Sequence, residues 1–166
     1  MCKLCLKIKY KIGHHKKYKG LINNLNMSKK FEMLEHTGDL KFKAYGESAE
    51  DLFNHCALAL SNIFSRGKKI PQSVRKEFVV SGEDYESLLY NFLEELIYLF
   101  DAKQFVVSKT EVSITSGEEY ILNVVVYGDS TAKHKDLDAV KAPTYAEMYF
   151  KKIDEEHWEA QVVVDV

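Results

Sequence analysis

Cysteine is scarce in this chain of 166 residues: the three present, Cys2, Cys5 and Cys56, are an odd number. They give no disulfide framework and suit a reducing compartment, cytoplasm or nucleus. Long apolar runs are missing too. None approaches the roughly 20 residues that a membrane-spanning helix needs, so no membrane role is expected. There is no glycine-rich phosphate loop, no serine in a nucleophile elbow and no cysteine with an obvious catalytic partner, so nothing announces an enzyme. Acid is absent from residues 1–26, which hold seven lysines.

That last absence hides the charge of the rest. The whole chain has 23 basic and 25 acidic residues; with the seven lysines set aside, residues 27–166 carry 16 against 25. Such an acidic body is a poor grip for a phosphate backbone, and direct sequence-specific nucleic-acid binding is not expected. It is better suited to a basic protein partner or to metal ions. Residues 1–26 show neither helical nor strand periodicity. Cys2 and Cys5 with His14 and His15 lack the spacing of a common zinc finger, and a Lys-rich stretch without Arg or Ser is unlike a mitochondrial presequence. The segment reads as a disordered basic extension, a gene-model addition ahead of a natural start at Met27. Residues 27–166 then form one domain, and a hydrophobic content of 46% supplies its core.

From Leu40, apolar Leu40, Phe42 and Ala44 alternate with Lys41, Lys43 and Tyr45, the period of a half-buried strand. Ser48 with Asp51 three residues on signals a helix start, and Leu52, Phe53, Cys56, Leu60, Ile63 and Phe64 set a helix over 49–65. Cys56 lies on its apolar stripe as a small core residue, and His55 points off it to the surface. A strand over 74–80 follows. Asp84 caps a second helix over 85–100, whose wide apolar face predicts packing on a sheet, with Glu94 and Glu95 on the polar side. Strands are predicted over 105–108, 111–115 and 120–128. The loop 129–142 carries Lys133, His134, Lys135, Asp136 and Asp138, and polar loops on rigid scaffolds are where sites sit. A strand over 145–153 places Ala146, Met148 and Phe150 on one side. The last strand runs from Trp158 to the end. The order gives an α+β fold: two helices packed on a mostly antiparallel or mixed β-sheet.

One combination crosses the whole chain. If the strands headed by Leu40 and ended by Val164 are neighbours, then Asp39, Asp165 and the terminal carboxylate of Val166 come together. Three such groups want a hard divalent ion. Taken alone, Asp39 reads more simply as a turn residue and Asp165 as an exposed strand end.

Several stretches together match one family. His36-Thr37-Gly38-Asp39, the helix Leu88-Leu89-Tyr90-Asn91-Phe92-Leu93-Glu94-Glu95-Leu96, Gly128 followed by His134, Lys141-Ala142-Pro143-Thr144-Tyr145, and Val163-Val164-Asp165-Val166 at the end resemble archease over residues 31–166. The resemblance implies a non-enzymatic accessory protein that activates the RtcB-type RNA ligase of tRNA splicing, promoting its guanylylation and multiple turnover. It implies a metal held by Asp39, Asp165 and Val166, Ca²⁺ in the family, with Mg²⁺ or Mn²⁺ as further candidates. It makes His134 and Lys141 candidates for partner contact. Two positions depart: Gly38 stands where the family has Ala, and Ala146 where it has His. The rival readings are a metal-dependent phosphoesterase and a chaperone-like module for another RNA-modifying enzyme.

Overall fold

Two side-chain caps set where the helices begin. Ser48 Oγ accepts the Asp51 N–H at 3.1 Å and opens α1, Ala49–Ser65. Asp84 accepts the Ser87 N–H at 2.7 Å while Ser87 Oγ receives the Asp84 N–H, a reciprocal box that opens α2, Tyr85–Asp101. Both agree with the expected starts. The computed structural model describes residues 29–34 and 38–166. The expected basic extension at 1–26, the start at Met27 and the His36-Thr37 pair lie outside the described residues.

Seven strands surround the helices: β1 Phe31–Leu34, β2 Leu40–Gly46, β3 Val74–Gly82, β4 Phe105–Ser116, β5 Tyr120–Ser130, β6 Ala142–Lys152 and β7 Trp158–Asp165. They form two sheets, in the orders β1-β2-β7-β6 and β3-β5-β4, with every pairing antiparallel. The class is α+β as expected, with the strands divided between two sheets rather than laid in one. Each helix reaches both: α1 lies against β2 and β4, α2 against β3 and β6. That is why their apolar stripes are broad.

Phe42, Phe53, Phe64 and Phe92 are fully buried, each contributing about 1.5–3 kcal/mol by burial alone. Phe92 meets Phe53 edge-on with ring centroids 5.7 Å apart. Tyr85 of α2 stacks on Tyr120 of β5 and on Phe150 of β6, joining the sheets through one helix residue. Cys56 is wholly buried, and burial pushes its thiol far above the usual range, so it is the inert core residue expected. His55 differs from expectation. It is half-buried, with Nδ1 at hydrogen-bond distance from the Tyr45 carbonyl.

Three other expectations change. The strands expected at 105–108 and 111–115 are one strand, β4, with a bulge between Val107 and Lys109; Ser108, at the bulge, donates to the Ile70 carbonyl at 2.7 Å. The strand expected from 145 begins at Ala142, and its pairing with β7 jumps from Thr144↔Val163 to Tyr149↔Gln161. Residues 145–147 are therefore thrown outward, and Ala146 is exposed instead of sharing a face with Phe150. β1 was not foreseen; its four residues are too few to show a period.

Candidate cation site at the end of the β2–β7 ladder

Leu40 pairs with Val164 and the ladder runs on through Phe42↔Val162 to Gly46↔Trp158. Asp39 immediately precedes Leu40 and Asp165 immediately follows Val164, so both aspartates lie at the same end of this ladder. Gly38 leads into this corner at φ +86°, with nothing within 4 Å of where a Cβ would stand. Space is not the reason for glycine there. The left-handed backbone is, and an alanine would be strained at it.

Lys141 supplies the other side. Its N–H donates to the Asp165 carbonyl at 2.8 Å, extending the β6–β7 pairing past Ala142. Its Nζ donates to the Val166 main-chain oxygen at 2.8 Å and stands 3.8 Å from Asp165 Oδ1. The lysine expected to touch a partner is thus already engaged with the proposed ligand residues. Its loop is tied down before it arrives there. The Asp138 N–H donates to the Phe64 carbonyl at 2.9 Å, the Asp138 carboxylate pairs with Arg66 at the end of α1, and Val140 is fully buried.

His134 is held elsewhere. Its Nε2 lies 3.0 Å from Asp129 Oδ2, while Lys133 Nζ binds Asp129 Oδ1 at 2.8 Å. Asp129 is buried at the end of β5, paired with Val106. The Lys133 ammonium, with the Ser130 N–H and His134 behind it, holds its carboxyl below the usual carboxylate range against the opposing effect of burial. Among the described residues no three His, Cys, Asp or Glu side chains gather in a metal-sized group, so His134 is not a third ligand beside the aspartates.

Lys41 and Asp129 escaped the sequence reading. Lys41, the second residue of β2, is largely buried and pairs with Glu147 at 2.5 Å. Glu147 sits in the outward segment of β6 at φ +55°, where Gln161 Nε2 donates to its carbonyl at 2.8 Å. Its partners come from distant strands, so no local pattern marked it. Asp129 looked like the first residue of a polar loop, and only pairing with β4 buries it.

As a donor set, two carboxylates and a main-chain oxygen are hard ligands that fit Ca²⁺, Mg²⁺ or Mn²⁺ and do not fit a soft ion. The Lys141 ammonium standing among them is a positive charge already drawn to the place.

A model of the archease protein family matches residues 31–166. Protein archease of Pyrococcus furiosus is 38% identical over 141 residues, spanning 83% of this chain and 99% of the relative. That of Methanosarcina mazei is 37% identical over 145 residues, spanning 85% and 99%. The solution structure of Methanobacterium thermoautotrophicum protein 1598 superposes with a TM-score of 0.68 at 26% identity, covering 82% of this chain and 99% of that one. A crystal structure of an archease from Thermotoga maritima, at 21% identity and a TM-score of 0.51 over 81% and 96% of the two chains, shares the fold. With a family model matched over residues 31–166 and relatives 37–38% identical over more than four-fifths of its length, this chain belongs to the archease family.

Proposed function

We propose that this protein is an accessory factor for an RtcB-type RNA ligase of tRNA splicing, and that it works by holding a hard divalent cation between Asp39, Asp165 and Val166. The coarser part of this reading, a partner-directed role without catalysis of its own, agrees with the description of the Thermotoga maritima archease as a possible chaperone. The observation that supports the finer part is the pairing of Leu40 with Val164, which brings the residues next to Asp39 and Asp165 together at one end of β2 and β7. A divalent ion there would supply positive charge beside the phosphates of the ligase's nucleotide. Asp39 and Asp165 hold it, the Lys141 N–H on the Asp165 carbonyl fixes the end of β7, and the Asp129–Lys133 pair with the Arg66–Asp138 pair keeps the intervening loop in place.

Guanylylation of the ligase with and without this protein is the test. Stimulation by the intact chain and its loss in Asp39→Asn, with unfolding unchanged, are expected. No stimulation by the intact chain ends the proposal. A second variant sharpens it: residues appended after Val166 turn the carboxylate into a peptide carbonyl and are expected to weaken Ca²⁺ binding. Equal affinity removes Val166 from the ligands.

A further inference from the structure

Lys141 is the most unusual contact of this corner, because it places a side-chain ammonium where the ligands of a cation converge. Its Nζ is 2.8 Å from the Val166 oxygen and 3.8 Å from Asp165 Oδ1, and the side chain is otherwise 69% exposed. The backbone beneath it is fixed, since its N–H binds the Asp165 carbonyl and Val140 before it is fully buried. Its four-carbon stem is mostly exposed to solvent.

We infer that Lys141 is a built-in counter-ion that competes with the divalent cation for Asp165 and Val166 and so sets the charge selectivity of the site. This rests on the cation site proposed above. The physics is one of exchange. An ammonium within about 4 Å of a carboxylate already satisfies much of its field at the effective dielectric of a protein surface. A monovalent ion offers no more charge than the ammonium it would displace, and it lacks the ammonium's tether. A divalent ion offers twice the charge and takes up several oxygens at once. The released ammonium, still anchored by its backbone, remains nearby as an anion-binding arm.

Calcium titrations by calorimetry on the whole protein, in a potassium buffer, decide it. Lys141→Met is expected to bind Ca²⁺ about tenfold more tightly than the intact chain and to become sensitive to added KCl, while Lys141→Arg keeps the original affinity. Without calcium, Lys141→Met is expected to melt lower than the intact chain, since Asp165 and Val166 then lack their counter-charge, and to recover fully when calcium is added. If the intact chain binds Ca²⁺, Asp39→Asn abolishes it and Lys141→Met binds no more tightly, the counter-ion role is overturned and the cation site stands. If neither the intact chain nor Lys141→Met binds, the cation site falls and takes this inference with it.

Discussion

The two sheets carry charge on their outer faces in different ways. In β3-β5-β4 the ion pairs are local: Arg75 meets Glu77 and Lys109 meets Glu111, two residues apart on one strand, with both partners at least half exposed. In β1-β2-β7-β6 two pairs cross strands, beside the local pairs Lys29–Glu32 and Lys152–Glu155 at its rim: Lys41 meets Glu147 and Lys43 meets Glu159, with Lys41 15% and Glu159 21% exposed. Local exposed pairs are decoration, worth a few tenths of a kcal/mol. Cross-strand, half-buried pairs hold register. The sheet whose charges hold register is also the one that ends in Asp39 and Asp165.

The comparison breaks first at what the sheets share. Phe92→Ala empties the space between Phe53 and Phe78 and is expected to cost about 3–5 kcal/mol. Because α2 touches both sheets, tryptophan fluorescence from Trp158 and far-ultraviolet circular dichroism should lose signal together in urea; separate transitions would mean that the sheets unfold independently.

Gly38→Ala comes next, at about 1–2 kcal/mol of backbone strain. That strain falls on the corner that carries Asp39. Calcium affinity should therefore drop more than global stability, and a pure stability loss would place Gly38 outside the site.

Acid titration separates the buried carboxylate from the decorative ones. Asp129 has a folded pKa below its unfolded value, so the stability it contributes is full above about pH 4 and is lost as pH falls through the lower folded value. Glu111 is lowered in the same direction, by Lys109 first, but is half exposed. Asp129→Asn should flatten the loss of melting temperature between about pH 5 and pH 2, and Glu111→Gln in 0.5 M salt should leave it unchanged.

Smallest are the pairs themselves. Lys43→Met should cost about 0.5–1 kcal/mol and Lys109→Met less than about 0.5. Equal costs in urea melts would erase the distinction between the sheets.

What was legible in the sequence was local. The helices announced themselves because Ser48 and Asp84 cap them and the apolar spacing repeats within each. The outward segment of β6 did not, because Tyr145 to Phe150 can be continued as a regular strand on paper. It is β7, with Lys41 and Gln161 holding Glu147, that forces the interruption. The site was half legible. Asp39 and Asp165 stood out as carboxylates at strand ends, but that their strands are neighbours depended on which strand lay beside β2. Lys141 was expected to face a partner, and its contact with Val166 needed the fold.

The position of β7 bears on how the protein is made. It follows every other strand in the chain yet lies inside its sheet, between β2 and β6. As the chain emerges, β2 is synthesised with one side unpaired and stays so for roughly 120 residues, until Val164 arrives opposite Leu40. A chain interrupted before Trp158 would leave β2 and β6 with open edges facing each other, a form prone to pair with other chains.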